Sequence, residues 1–162
     1  EALDGALNQA VAVRSYTVVD HRPDGRIALG AGASVGNDVD NTTGAGQSRT
    51  ATAAVNAAVT FNLSVQNDGN VDDQFRLRGQ AGVTGYRVRY SRTDTGENVT
   101  AAVTAGTFVS PTAAPGRSFR LRAVVTVLTG AVRGSSVTRT VTATSLGYTP
   151  DKDVVAFTVR RS

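Results

Sequence analysis

Acidic and amide side chains alternate in the segment TFNLSVQNDGNVDD, where Asp68, Asn70 and Asp72 occupy every second position and Asp73 follows directly. Carboxylate and amide oxygens are the ligands that calcium prefers, and this spacing matches the first ligand positions of an EF-hand loop. The sixth position of such a loop requires Gly but is Asp73, and the twelfth requires a bidentate Glu but is Gly79. The segment therefore predicts either a different metal site, shared with neighbouring loops, or a hydrogen-bonded turn.

Two other groups of oxygen-bearing side chains lie in or directly beside predicted loops. They are Asn37, Asp38, Asp40 and Asn41 in one group, and Asp151 with Asp153 in the other. Loops between strands can bring such groups together around a hard cation, which needs six to eight oxygen ligands. Asp and Asn are also favoured in turns, because their side chains hydrogen-bond the local backbone. We therefore expect no cofactor, with calcium in these loops as the alternative.

Arginine pairs mark a second kind of chemistry. The sequence contains two pairs of arginines with a spacing of two residues, Arg87 with Arg89 and Arg120 with Arg122. In a strand, the two members of each pair lie on the same face, about 7 Å from each other. If the two strands are neighbours, the four guanidinium groups form a basic stripe that suits an acidic glycan or a nucleic-acid backbone. The net charge is only +4 and no basic cluster includes stacking aromatics, so we expect no nucleic-acid partner. A solvated face that discourages aggregation is the simpler interpretation.

The sequence contains no complete motif of a hydrolase, a glycosidase or a phosphate-binding enzyme. The only histidine is His21, and no nucleophile-elbow motif accompanies it. The chain has no Cys, which excludes thiolate chemistry and disulfides, and its only glutamates, Glu1 and Glu97, do not suggest a carboxylate pair. The glycine-rich segment GAGASVG lacks the following helix and the Lys of a phosphate-binding loop. The sequence therefore predicts a protein that is not an enzyme.

Period-two alternation of apolar residues predicts most of the fold. Gly, Pro, Asn and Asp separate eight predicted strands: Gln47–Ala53, Ala58–Gln66, Gln74–Arg78, Tyr86–Ser91, Asn98–Val103, Arg117–Leu128, Ser136–Thr144 and Asp153–Arg160. The inward-facing residues are expected to be Val59, Phe61, Leu63, Val65, Phe75, Leu77, Phe119, Leu121, Val125, Val127, Val141, Val155, Phe157 and Val159. Many short strands without an amphipathic helix indicate an all-β sandwich or barrel.

The amino-terminal part has a different pattern. The segment QAVAVRSYTVV predicts an extra strand over residues 9–19, and residues 20–46 form a glycine-rich tether. We therefore divide the chain into an arm and tether, residues 1–46, and a sandwich domain, residues 47–162. The extra strand either pairs with its own sandwich or adds to the edge of the next copy. For the second case the contact residues would be Val11, Val13, Tyr16 and Val18.

Three segments resemble Ig-like modules of secreted bacterial proteins, the CARDB (cell-adhesion-related) group and its relatives. AVTFNLSVQNDGNVDD resembles their strand and Asn-x-Gly turn, TAAPGRSFRLRAVVTV their Pro-Gly turn before a long core strand, and SVTRTVTATS with DVVAFTVR their closing strands. The resemblance covers about 100 residues of a pattern that is common among such modules. It implies an antiparallel Ig-like β-sandwich and a spacer, adhesive or assembly role, and it brings no catalytic residues.

These observations predict a secreted or cell-surface structural module, non-catalytic, that associates with other copies of itself into a filament or surface assembly. The alternative is a glycan-binding accessory module that uses the arginine face, with calcium in its loops. Few aromatic side chains are present to form a sugar platform, which favours the first prediction. No apolar run approaches the roughly 18 residues of a membrane span, so we expect no membrane insertion.

Overall fold

The computed structural model describes residues 15–162 and contains nine strands and one short helix. The strands are β1 (Pro23–Leu29), β2 (Ser48–Ala53), β3 (Ala58–Asn67), β4 (Phe75–Gly79), β5 (Tyr86–Arg92), β6 (Phe108–Val109), β7 (Ser118–Val127), β8 (Ser136–Ser145) and β9 (Lys152–Arg161), and the helix is α1 (Thr100–Ala105). They form two packed sheets. The predicted fold class, an all-β Ig-like sandwich, is confirmed. No helix in residues 15–162 is long and apolar enough to cross a membrane.

The first sheet has the order β1-β3-β7-β5, and all its pairs are antiparallel. The second has the order β2-β9-β8-β4-β6, in which the pairing of β2 with β9 is parallel. This parallel edge strand departs from the purely antiparallel sandwich that the sequence predicts. It arises because the chain leaves β1 in the first sheet and crosses to the second sheet along a connection of eighteen residues, 30–47.

The core lies between the sheets and follows the predicted alternation. Every residue of the predicted inward set is buried except Val59, which is partly buried. Phe61 and Phe157 pack across the two sheets with ring centroids 5.0 Å apart, and Tyr90 is fully buried with its hydroxyl donating to Gln80 O at 2.9 Å. The buried apolar area is therefore shared by both sheets, as expected for a sandwich.

The predicted strand Asn98–Val103 is wrong, because its last four residues belong to the helix α1. Asn98 Oδ1 accepts bonds from Thr100 N at 3.1 Å and Thr100 Oγ1 at 2.7 Å, and Gly106 ends the helix with φ 73°. Val99 and Val103 are both buried. A spacing of four residues fits one face of a helix as well as one face of a strand, which is why alternation misidentified this segment.

The amino-terminal division also differs from the expected one. β1 lies inside the residues assigned to the tether and pairs along its whole length with β3, from Pro23↔Asn67 to Leu29↔Phe61. The sandwich therefore begins before residue 47. Of the predicted strand over residues 9–19, residues 15–19 have no strand structure and the remainder lies outside the described residues.

Candidate functional site

Residues 15–22, which we call the arm, run along one end of the sandwich without joining either sheet. Asn70 holds them there: its Nδ2 donates to Val18 O at 2.6 Å, its Oδ1 accepts from Asp20 N at 2.9 Å, and its backbone N donates to Asp20 O at 3.1 Å. Asp68 N also donates to Arg22 O at 2.8 Å. The acidic turn that resembles a calcium loop is therefore the clasp of the arm, and we call this end the tip.

The arm carries apolar side chains that contact little of the protein. Tyr16 is 81% exposed, Val18 80% and Val19 59%. Tyr148, in the loop between β8 and β9, is 55% exposed at the same tip. Two residues of the predicted self-association set, Val11 and Val13, lie outside the described residues, while Tyr16 and Val18 are the most exposed large apolar side chains that the structure describes.

Asp73 is buried at the tip and is hydrogen-bonded on both oxygens. Ser145 Oγ donates to Oδ2 at 2.5 Å, Gln74 N and Gly147 N donate to Oδ1 at 2.7 and 3.1 Å, and His21 Nδ1 lies 3.3 Å from Oδ2. Burial raises the pKa of Asp73, but these hydrogen bonds and the nearby His21 outweigh burial and hold the pKa below its ordinary value.

Ser145, His21 and Asp73 are the three residue types of a hydrolase triad, but their arrangement differs from one. In a triad the serine bonds the histidine and the histidine bonds the aspartate. Here Ser145 donates directly to Asp73, and it is fully buried. A nucleophile in this position has neither a base beside it nor access to substrate, so the group has the geometry of a structural hydrogen-bond network.

Asp153 is a second buried carboxylate at this end and connects three segments. Its Oδ2 accepts from Gly25 N at 2.7 Å, and its Oδ1 accepts from Gln47 Nε2 at 2.8 Å, Asn41 N at 3.1 Å and its neighbour Val154 N at 2.8 Å. Burial raises the pKa of Asp153, and the hydrogen bonds from Gln47, Gly25 and the other donors oppose that shift. Since Gly25 belongs to the first sheet and Asp153 to the second, this carboxylate links the two sheets.

The three oxygen-rich groups considered for calcium come together at this end but bond to amides. Asp153 Oδ1 accepts a hydrogen bond from Asn41 N, and Asp24 Oδ1 accepts one from Asp38 N at 3.0 Å. Asp72 is exposed, and Asp68 lies 3.8 Å from Arg22 Nη2 while burial and nearby Asp24 raise its pKa. Within residues 15–162, no three His, Asp or Glu side chains are grouped as a metal ion requires. Calcium at Asp68, Asn70, Asp72 and Asp73 stays a prediction that this geometry does not favour.

The sequence predictions did not identify Asp73 and Asp153 as buried hydrogen-bond acceptors, although their positions in the strand pattern indicate it. Asp153 has the same parity as Val155, Phe157 and Val159, and Asp73 has the same parity as Phe75 and Leu77. Each aspartate is thus one step beyond a row of core residues and points inward. A carboxylate on core parity at a strand end needs hydrogen-bond donors from the adjoining loops.

The four arginines of the predicted basic stripe lie on two neighbouring strands of the first sheet. β5 and β7 are neighbours, with Arg89 opposite Val124 and Ser91 opposite Arg122. Arg87, Arg89, Arg120 and Arg122 are all exposed on the outer face of the first sheet, and we call them the basic face. None of the four forms a salt bridge with an acidic residue in the described part of the chain.

The sheet edges differ in how much they are covered. β1 is covered by Val35, which exchanges two 2.9 Å bonds with Ile27, and β5 is covered by Glu97 O, Val83 O and Thr100 Oγ1, which accept from Arg92, Tyr86 and Tyr90. β6 is only two residues long. Gln47 O, just before β2, accepts from Ala156 N of β9, and Ala53 O accepts from Ser162 N, just after β9. In this parallel ladder the intervening residues Ser48, Thr50 and Thr52 therefore direct their backbone groups outward. No other backbone group in residues 15–162 bonds to those three.

Comparison with known proteins gives similarities of fold and no family. No family model matches the chain, and no curated protein matches it. A family 123 glycoside hydrolase from Clostridium perfringens is 4% identical with a TM-score of 0.48, over 71% of this chain and 23% of that one. The secreted serine protease VesC from Vibrio cholerae is 11% identical with a TM-score of 0.42, over 70% and 21%. The chain thus spans under a quarter of either protein.

A third similarity covers both chains almost completely. The PapD-like domain 7 of human CEP192 is 12% identical with a TM-score of 0.41, over 95% of this chain and 96% of that domain. Identities and TM-scores this low do not identify a function. They also give no specific support to the CARDB group, so that resemblance stays an expectation.

Proposed function

We propose that this protein is a non-catalytic structural module that assembles with other copies of itself outside the cell. The amino-terminal segment of one copy, residues 9–19, would add as a strand to the β2 edge of the next. The observation that carries the proposal is the state of the arm: Tyr16, Val18 and Val19 are exposed, the arm is clasped at the tip, and residues 15–22 pair with neither sheet. The extracellular location rests on composition and on the sequence resemblance.

The β2 edge is the acceptor that best fits such a strand. Ser48, Thr50 and Thr52 direct their backbone N–H and C=O groups away from β9, and the outer edges of β1 and β5 are covered by the chain itself. An added strand gains affinity from main-chain hydrogen bonds, and alternate side chains give specificity. The side chains of all three residues are exposed and small, which leaves room for Tyr16 and Val18 of an incoming arm.

The length of the amino-terminal segment is sufficient for this contact. Residues 1–17 precede the clasp, whose first bond is at Val18 O, and an extended chain of that length spans roughly 55 Å. β2 has six residues and is about 20 Å long. Because donor and acceptor are different surfaces, each copy can donate and accept at once, and repetition gives a filament or a closed ring.

The first test compares the full chain with a variant that lacks residues 1–19, using light scattering after size exclusion over a range of concentrations. The full chain should form species larger than the monomer and the truncated chain should not. A matched pair of point variants tests the acceptor. Thr50→Pro removes an outward N–H and should abolish association while leaving the bonds to β9 intact, whereas Thr50→Ala should associate normally.

A crosslinking experiment tests the proposed contact between the amino-terminal segment of one copy and β2 of the next. The protein has no cysteine, so Val18→Cys combined with Thr50→Cys introduces the only two thiols. Under mild oxidation this variant should give disulfide-linked oligomers, while Val18→Cys combined with Thr138→Cys, on the exposed face of β8, should not. A monomeric full-length chain at all concentrations, or equal crosslinking of both cysteine pairs, contradicts the proposal.

A further inference from the structure

A groove of about 420 Å³ crosses the outer face of the first sheet beside the basic face. Its floor includes Asn62 and Ser64 of β3, and Arg120 and Arg122 of β7. One wall is the glycine-rich segment of residues 30–34, which follows β1. The groove therefore brings together two sequence features, the arginine pair and the glycine-rich segment, that are far apart in the chain.

The glycine-rich wall is held in place by backbone bonds. Gly30 N donates to Thr60 O at 2.9 Å, Gly32 N donates to Leu29 O at 2.9 Å, and Asn62 Nδ2 donates to Gly30 O at 2.7 Å. Gly30 has a φ of 53°, a conformation that favours glycine. The wall is thus a fixed turn whose small residues leave the arginine side chains accessible from above.

The positive charge beside this groove is not neutralised by neighbouring acids. Asp24, the carboxylate on β1, accepts from Arg26 Nε at 2.5 Å, and Asp94, near the end of β5, accepts from Arg92. In the described residues neither acid pairs with Arg120 or Arg122. Two guanidinium groups without partners, on the floor of a groove, favour a ligand with negative charge.

The sheet register extends this charge into a line. Along the strand direction, Arg120 and Arg122 are followed by Arg89, opposite Val124, and then by Arg87, opposite Thr126. Each step is two residues, so the four guanidinium groups are spaced about 7 Å apart along the strands and extend over about 20 Å. An even line of positive charge matches a linear polyanion better than a compact anion.

We propose that this surface binds a linear acidic polysaccharide, with one carboxylated or sulfated sugar in the groove at Arg120 and Arg122 and the following units along Arg89 and Arg87. Hydroxyl and amide side chains, including Thr60, Asn62 and Ser64, stand next to the arginines on the same face and suit sugar hydroxyls. The outer face of the four strands carries no aromatic side chain, which disfavours single-stranded nucleic acid because such ligands rely on base stacking.

The site is independent of the arm and of the β2 edge, which belong to the tip and to the second sheet. Binding is measured by calorimetry at low and moderate salt with polygalacturonate, dextran sulfate, neutral dextran and single-stranded poly-dT. Both acidic polysaccharides, or one of them, should bind, neutral dextran should not, and poly-dT should bind at least tenfold more weakly. Comparison of the two acidic polymers distinguishes carboxylate from sulfate recognition.

Matched variants separate a specific surface from general positive charge. Arg120→Gln with Arg122→Gln should lower affinity by roughly tenfold or more, since each lost charge-assisted contact is worth more than a neutral hydrogen bond. The control is Arg76→Gln with Arg78→Gln, an exposed pair of the same spacing on β4 of the second sheet, which should bind as the parent does. Both variants change exposed side chains and remove two charges.

Ligand length tests the line of arginines. Arg87→Gln with Arg89→Gln should weaken binding of an eight-unit oligogalacturonide but not of a two-unit one, whereas the groove variant should weaken both. Equal losses in the groove variant and the β4 control, equal binding of poly-dT, or no binding of either acidic polymer each overturns the proposal. Removal of residues 1–19 should leave polysaccharide binding unchanged, so failure of this proposal and failure of self-association give different results.

Discussion

Asp153 and Asp73 lie at the same end of the second sheet and are 1% and 4% exposed, yet they connect different parts of the chain. Asp153 binds Gly25 of β1 and Gln47 before β2, so its partners are internal elements of the sandwich. Asp73 binds the buried Ser145 at the end of β8, the loop that follows it, and His21 near the surface. The first carboxylate joins the two sheets, and the second joins surface segments to a strand end.

This difference indicates that the loss in free energy of unfolding, when a buried carboxylate is removed, depends on whether its hydrogen-bond donors can reach water. Donors that stay buried after the carboxylate is removed pay a full desolvation penalty, whereas donors near the surface can bond to water. The pKa directions are also opposite: burial is the largest effect at both sites, and the hydrogen bonds do not outweigh it at Asp153, whereas at Asp73 the hydrogen bonds and His21 together do.

The largest effect is expected for Asp153→Ala. The variant leaves Gly25 N without an acceptor and leaves Gln47 Nε2 with Val39 O alone, and the loss should be about 3–5 kcal/mol in the free energy of unfolding. Urea unfolding followed by circular dichroism measures it. Asp72→Ala, an exposed aspartate in the tip turn, is the control and should change stability by less than about 0.5 kcal/mol. Similar values for the two variants would contradict a linking role for Asp153.

A smaller loss, about 1–3 kcal/mol, is expected for Asp73→Ala, because Ser145 Oγ stays buried while Gln74 and Gly147 are exposed and can bond to water. The same urea titration measures it, and the ratio of the two losses is the direct test of the comparison. If Asp73→Ala is more destabilising than Asp153→Ala, the surface position of its donors does not limit the cost.

The pH dependence should have opposite signs at the two sites. The lowered pKa of Asp73 contributes stability that is present above pH 3.8, its ordinary value, and is lost as pH falls below it. The raised pKa of Asp153 means that stability decreases as pH rises from 3.8 through the folded-state value. We therefore measure the free energy of unfolding of Asp73→Asn and Asp153→Asn across about pH 2–7. Asp73→Asn should remove part of the pH dependence of stability below pH 3.8, and Asp153→Asn part of that above pH 3.8.

Alternation predicted the sandwich, most of its strands and the basic face, because parity along a strand directly sets which side chains are buried. It did not predict β1, whose sequence PDGRIAL has one short apolar piece beside Asp24 and Gly25. β1 is recognisable only through its neighbours, since Gly25 lies against Asp153 and Ile27 packs in the core. Such long-range pairing leaves no local periodicity in the sequence.

The candidate sites, like the fold, were predictable only in part from the sequence. Arg120 and Arg122 were identified from their spacing, but the groove also needs the wall of residues 30–34, which depends on β1 lying beside β3. The acidic turn was located correctly, but its role depends on which segment lies next to Asn70. A sequence specifies side-chain chemistry locally, whereas the partner of that chemistry is a tertiary property.

The smallest effect concerns the contact that keeps the arm beside Asp73. A Cβ added at Gly147 would lie 2.0 Å from the His21 ring, so Gly147→Ala must displace the ring and weaken its pairing with Asp73. We expect a loss of about 1 kcal/mol, since the ring is near the surface and can move. Gly130→Ala, where an added Cβ meets no atom within 4 Å, is the matched control and should be neutral.

Hydrogen exchange distinguishes release of the arm from general destabilisation. In Gly147→Ala the amides of Asp20 and Asn70, which bond across the clasp, should exchange faster, while Gly25 N and Val154 N, which bond Asp153, should keep their protection. Unchanged exchange at Asp20 and Asn70 would show that His21 does not help to hold the arm. Faster exchange at all four amides would show that the two carboxylates belong to one cooperative unit, and the distinction between them would then fail.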